Sequence, residues 1–177
     1  AAPPTALDAT RLDIAQGSVV GFETEQGAHA WLAIPYAAAP VGDLRWRAPR
    51  PAPDFTAQFE ALLPGERCPQ LTNGLDEAEG LEPGQIVGSE DCLTLDIYAP
   101  PNAENLPVMV WIHGGGNVWG RSGAYNGSQL ALDQDVVVIA IQYRLGPLGW
   151  MAHPTLRADA ETEADAAASF ALLDMIA

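Results

Sequence analysis

The chain has 177 residues, 48% of them hydrophobic, enough for one domain with a real core. Its charge is one-sided: eight arginines and no lysine stand against 23 acidic residues, for a net charge of −15. That balance excludes nucleic acid and anionic membrane surfaces as partners, since each would repel the chain. No apolar run approaches the roughly 20 residues of a membrane span. Position 1 is alanine rather than methionine, which predicts that a preceding segment was removed, whether a signal peptide or an artificial boundary.

Residues 1–10 are rich in alanine and proline and read as a loose N-terminal segment. Leu12 to Ala15, Ser18 to Thr24 and Ala28 to Ile34 read as short strands that form an antiparallel edge. From Pro35 to Pro53 prolines recur around Arg45, Trp46 and Arg47, so this stretch is an ordered loop held by its Trp and Arg side chains. Residues 71–90 are acidic and punctuated by glycine, as in a surface loop. Cys68 and Cys92 flank that loop. They are either unrelated buried thiols or a disulfide closing about 25 residues, worth roughly 3 to 3.5 kcal/mol in the chain-entropy model. With no histidine or second cysteine nearby they do not resemble a zinc site, and a disulfide would place the protein outside the reducing cytosol.

Leu93 to Tyr98 alternates as a strand does, whereas Val108 to His113 and Val136 to Tyr143 are near-continuous apolar runs, the pattern of strands buried on both faces. Ser128 to Leu132 reads as a short helix between them. Strands joined in this way predict a mixed α/β sheet fed by an antiparallel edge. Ala158 to Ala168 is acidic and low in complexity, either a mobile surface segment or the start of a helix. Ser169 to Ala177 places Phe170, Leu172, Leu173 and Ile176 on a helical apolar face, with Ser169 as candidate N-cap. The helix stops at Ala177 without a cap or turn, which reads as a truncation or cleavage point.

After the apolar run Val108 to Ile112 come His113 and three glycines, Gly114, Gly115 and Gly116. A loop stripped of side chains can aim several main-chain amides at one developing negative charge, which is what an oxyanion hole needs. An HGGG element of this kind accompanies a G-x-S-x-G nucleophile elbow, and no G-x-S-x-G occurs in the 177 residues. A phosphate-binding reading of Gly115 to Ser122 fails because Arg121 stands where lysine is required and no helix opens after it. Ser122 sits one residue short of an elbow and lacks the strand and helix that would flank one. His113 is better placed to hold the glycines than to act as general base, and His29 and His153 have no motif around them. Neither a cofactor-binding nor a metal-ligating pattern is present.

Several blocks resemble the type-B carboxylesterase/cholinesterase family, in that family's order: Ile34 to Ala37 (IPYA), Pro40 to Pro49 (PVGDLRWRAP), Glu90 to Pro100 (EDCLTLDIYAP), Trp111 to Gly116 (WIHGGG), Tyr143 to Gly146 (YRLG) and Leu172 to Asp174 (LLD). The resemblance implies the α/β-hydrolase fold. Residues 11–177 would form its N-terminal part, a mixed, mostly parallel sheet with an antiparallel edge, truncated before the nucleophile elbow. It implies hydrolysis of a small-molecule carboxylic ester through a serine acyl-enzyme, with the serine, acid and histidine in the remainder of the hydrolase chain. It further implies oxyanion-hole amides at Gly115 and Gly116, a Cys68–Cys92 disulfide and an Arg45–Glu90 ion pair. His113 and Gly114 would then support the loop.

Asn117 and Trp119 fall where the substrate pocket is expected, with plain packing as the alternative for Trp119. They depart from the more usual aromatic directly after the glycines, and Ala168-Ser169 departs from a usual Gly-Asn. An Arg144–Asp174 pair is a further candidate. The disulfide implies a secreted or periplasmic location. The alternatives are a non-catalytic binding or adhesion module, and a fragment that is inactive, or stable only with its complementary half.

Overall fold

Gly21 decides how the first strands are divided. The run Ser18 to Thr24 breaks there, because the Gly21 amide donates to Thr10 Oγ1 (2.8 Å) and its carbonyl accepts from the Leu7 amide (2.9 Å), leaving nothing for a ladder. The computed structural model describes residues 3–74 and 76–177. In chain order its strands are β1 (Leu12–Ile14), β2 (Gly17–Val20), β3 (Phe22–Glu23), β4 (His29–Pro35), β5 (Phe59–Glu60), β6 (Gln70–Leu71), β7 (Ile86–Val87), β8 (Thr94–Ala99), β9 (Val108–Ile112) and β10 (Val137–Ile141). The helices are α1 (Ser128–Gln134), α2 (Gly146–Trp150), α3 (Pro154–Ala158), α4 (Glu163–Ala166) and α5 (Phe170–Ile176).

The main sheet has the order β3-β4-β8-β10-β9. Its first three pairings are antiparallel and the last, β10 with β9, is parallel. The sheet is therefore mixed with an antiparallel edge, and its parallel part within these residues is that single pairing. β1, β2 and β5 form a small second sheet, and β6 pairs with β7 inside the cysteine loop. Cys68 and Cys92 are joined by a disulfide and lie fully buried against Leu93, Tyr143, Leu145 and Ala171.

Three expectations need correction, and one alternative is resolved. First, the N-terminal segment is not loose throughout. Thr10 is buried and its carbonyl accepts from the Trp31 indole N–H at 2.8 Å, so the anchored chain begins near Leu7, while residues 1 and 2 lie outside the described residues. Second, β9 is not buried on both faces: all five residues, Val108 to Ile112, are between 46% and 57% exposed, since β9 is the outermost strand and pairs only with β10. Third, α5 buries Phe170, Ala171 and Asp174 but leaves Leu172 and Ile176 exposed, and the Ser169 side chain caps nothing. The polar Asp174 occupies the inner face because Arg144 waits there. Fourth, of the two readings of the acidic stretch 158–168, a mobile surface segment or the start of a helix, the helical one holds at α4 (Glu163–Ala166). Thr162 caps α4 by accepting from the Asp165 amide (3.1 Å), and Asp165 itself is buried.

Two buried carboxylates tie the proline-rich loop to the helices. Asp165 receives the Ala48 amide (2.7 Å) and both oxygens take Arg50 Nη2 (3.2 and 3.0 Å). Asp174 receives Arg144 Nε (2.8 Å) and Nη2 (2.6 Å) in a two-pronged pair, and Arg144 Nη1 donates onward to the Arg47 carbonyl (2.8 Å). Arg45 and Glu90 also form a two-pronged pair, at 2.5 and 2.6 Å, on the surface.

Burial by itself would raise the Asp165 pKa, but the Arg50 guanidinium, the Ala48 amide and the Thr162 hydroxyl outweigh it and hold the group down, from the usual 3.8 to about 2. A carboxylate depressed on folding contributes stability that is complete above its unfolded pKa and disappears as pH falls through the folded one. The difference in unfolding free energy between the protein and Asp165→Asn should therefore be on the order of 2 kcal/mol larger at pH 5 than at pH 2. Urea titrations across that window measure it, and a pH-independent difference would contradict it.

Candidate active site: the glycine loop beyond the edge strand

β9 delivers the chain to His113, whose side chain is buried while Gly114 and Gly116 are exposed. The His113 carbonyl accepts from the Tyr143 hydroxyl at 2.6 Å, and the two rings stack at 4.4 Å. His113 Nδ1 lies 3.0 Å from the Gly114 carbonyl. A carbonyl only accepts, so Nδ1 carries the proton and Nε2 does not. Burial pushes the imidazole pKa down, against the smaller upward pull of the Gly114 carbonyl, so the ring is neutral. Among the described residues no carboxylate or serine hydroxyl is bonded to this ring. It braces the loop.

The loop then turns through left-handed backbone at Gly115 (φ 125°), Gly116 (φ 62°) and Asn117 (φ 64°). The Gly115 carbonyl accepts from the amides of Val118 (3.2 Å) and Trp119 (3.3 Å), closing the turn. The Asn117 carbonyl accepts from the Gly146 amide (2.7 Å) at the start of α2. Among the described residues, no protein acceptor takes the amides of Gly115 or Gly116. The same holds for the amides of Gly114 and Asn117 beside them, so the turn carries a run of N–H groups without a protein acceptor.

Sequence reasoning missed the groups that hold the exit of this turn. Gln70 Oε1 accepts from the Gly120 amide (2.8 Å), and Gln70 Nε2 donates to the Gly120 carbonyl (2.9 Å) and to the Cys68 carbonyl (2.9 Å). Gln142 Oε1 accepts from the Ser122 amide (3.0 Å), and Gln142 Nε2 donates to the Glu66 carbonyl (3.0 Å). Gln142 carried a readable signal: it follows the apolar run Val136 to Ile141, and a polar side chain at the end of a buried strand must find partners. Gln70 carried none. Ser122 is buried in a 3-10 turn, and no hydrogen bond joins it to a histidine among the described residues.

Trp119 and Val118 line an open groove of about 530 Å³, whose other walls include Leu71 and Ile86 of the β6–β7 hairpin and Leu145 and Leu148 beside α2. The groove is apolar and of a size suited to a small organic group. Asn117 is not among its walls. Its exposed side chain points elsewhere, and its contribution to the loop is its backbone carbonyl.

The mixed sheet, with this turn past the end of its strand, has the α/β-hydrolase fold of the solved esterases it superposes on. A thermophilic PNB esterase superposes with a TM-score of 0.79 at 37% identity, covering 94% of this chain and 33% of that one. EstA of Aspergillus niger gives 0.74 at 29% identity, covering 98% and 31%. The sequence profile of the Carboxylesterase family matches residues 8–176, and the chain belongs to that family. It is 44% identical over 135 residues to pyrethroid hydrolase Ces2e of Rattus norvegicus, which covers 72% of this chain and 24% of the relative. Para-nitrobenzyl esterase of Bacillus subtilis (strain 168) is 43% identical over 138 residues, covering 76% and 27%. The chain thus spans about a quarter of the length of these curated relatives.

The two central glycines differ in what a side chain would meet. A Cβ at Gly115 would overlap the Trp119 carbonyl oxygen, whereas one at Gly116 has nothing within 4 Å. Gly116→Ala should cost only the left-handed backbone penalty, on the order of 1–2 kcal/mol. Gly115→Ala should cost clearly more, because the turn itself must be rebuilt. Denaturant midpoints of the two variants test this, and equal losses would contradict the described turn.

Proposed function

We propose that this chain provides the oxyanion-binding part of a serine carboxylesterase. The Gly115 and Gly116 amides stabilise the tetrahedral intermediate formed on a small-molecule carboxylic ester. The observation that carries the reading is the pair of amides without a protein acceptor among the described residues, on a turn fixed by the Tyr143 hydroxyl, the Gly146 amide and the Gln70 side chain. Membership of the carboxylesterase family supports it, as do relatives whose names describe ester hydrolysis.

The nucleophile, the acid and the general-base histidine belong to sequence beyond these 177 residues. Ser122 is sealed in the core, and His113 is committed to the loop. The nucleophile would lie next to the Gly115–Gly116 turn, the amide of the residue after it adding a third donor. Serine attack then gives the intermediate whose oxyanion these amides hold, collapse gives the acyl-enzyme, and water releases the acid. Each such donor is worth about 10²–10³ in turnover. The groove beside Trp119 is the seat for the apolar part of the ester.

The exposed edge strand supports a place for further chain. β9 presents unpaired backbone on its outer side and apolar side chains on both faces, including a shallow apolar groove bounded by Met109, Trp111, Tyr125 and Leu130. Further sheet strands and helices of the same protein would cover it. The disulfide suits an oxidising compartment, in keeping with a secreted or periplasmic enzyme.

Full-length protein treated with a fluorophosphonate should carry the adduct on a serine outside residues 1–177, located by peptide mass spectrometry. The 177-residue polypeptide alone should take up none, show no esterase activity and self-associate in size-exclusion chromatography. An adduct on Ser122, or hydrolysis by the isolated polypeptide, would refute this reading.

A further inference from the structure

We propose that Gln70 is a positioning residue for the oxyanion-binding turn, an inference that rests on the esterase reading above. Gln70 is 8% exposed, and its side chain makes three hydrogen bonds within 2.8–2.9 Å: its oxygen accepts from the Gly120 amide and its two N–H groups donate to the Gly120 and Cys68 carbonyls. A carboxamide that pairs with both the amide and the carbonyl of one residue fixes that peptide segment in position and orientation, as a strand partner would.

Gly120 is the last residue of the turn. Its neighbour Trp119 donates to the Gly115 carbonyl (3.3 Å), and the Trp119 carbonyl lies directly against the Gly115 α-carbon. Displacement of Gly120 therefore carries Gly115 with it, and with Gly115 the two open amides. The other end of the turn is fixed separately, by the Tyr143 hydroxyl on the His113 carbonyl. Gln70 is itself immobilised, two residues from the disulfide at Cys68 and paired in register with Val87. The cysteine loop, distant in sequence from the glycines, thus acts as the anvil on which the turn is set.

No other side chain can do this at position 70. Glutamate keeps the acceptor for the Gly120 amide but turns an oxygen toward two carbonyls. Methionine has the length but leaves three buried backbone groups unpaired. Gln70 also lines the groove between Pro69 and Leu71, so either change costs some ground-state binding, and the positioning role shows as a loss of oxyanion stabilisation beyond that cost.

The test uses full-length enzyme carrying Gln70→Glu or Gln70→Met. The readouts are kcat and KM, together with inhibition by an aryl trifluoromethyl ketone, which forms a tetrahedral oxyanion on an activated serine, and by the carboxylate product, which does not. The expected result is a fall in kcat of about 10- to 100-fold, larger than any rise in KM. Ketone affinity should fall in step with kcat, and by more than product inhibition does. Unchanged kcat in folded Gln70→Glu enzyme would overturn the assignment. So would equal loss of ketone and product binding, which would mark a general collapse of the pocket. If Gln70→Met fails to fold, Gln70→Glu decides, and failure of both to fold would make Gln70 a determinant of the fold and overturn the positioning role. A wild-type full-length protein without hydrolysis would instead overturn the esterase reading itself.

Discussion

Most of what holds the glycine loop comes from residues 142–146, which follow the one parallel strand pairing of the main sheet. β10 lies beside β9 in register, Val137 opposite Val108 and Ile141 opposite Ile112, so the chain leaving β10 emerges next to the chain leaving β9. Gln142 then binds the Ser122 amide, Tyr143 binds the His113 carbonyl, Arg144 takes Asp174, and Gly146 binds the Asn117 carbonyl. An antiparallel pairing would have sent the two chains to opposite ends of the sheet. Parallel pairing is the constraint on which the rest depends, because it delivers a strand terminus and its supports to one place.

The arginines show how a strongly acidic chain stays compact. Arg50 and Arg144 each neutralise a carboxylate that is almost wholly buried, and each also donates to backbone from the proline-rich loop. Removing one partner of such a pair leaves an uncompensated buried charge, a loss of 3–5 kcal/mol. Asp96 is the contrast. It is equally buried but accepts the Ala33 amide in place of an arginine, and burial pushes its pKa up. The same side chain thus takes opposite electrostatic roles according to what packs beside it.

Much of this was legible in the sequence, for identifiable reasons. The mixed α/β sheet with its antiparallel edge, the ordered proline-rich loop and the candidate loop rest on local patterns: strand periodicity, proline's missing amide, glycines after an apolar run. The α/β-hydrolase fold was implied by the family resemblance of the motif blocks. What could not be read depends on partners distant in sequence. β9 looked doubly buried because apolar content reports what a strand is suited to, not whether neighbours cover it. Asp165 sits in a stretch that reads as solvated, and only Arg50, 115 residues away in sequence, makes its burial tolerable. Leu172 and Ile176 fit a helical apolar stripe, yet Asp174 takes the inner face because the Arg144 guanidinium is already there. Gln70 pairs across 50 residues with a glycine, a contact no local pattern announces.

In the proposed mechanism two adjacent amides, those of Gly115 and Gly116, receive the oxygen that becomes negative. A crystal structure of the full-length enzyme bearing a covalent phosphonate tests it most directly. The account predicts the phosphoryl oxygen at about 2.7–3.1 Å from the amide nitrogens of both Gly115 and Gly116. An oxygen held elsewhere, or a turn in which those two amides point to protein carbonyls, would contradict it.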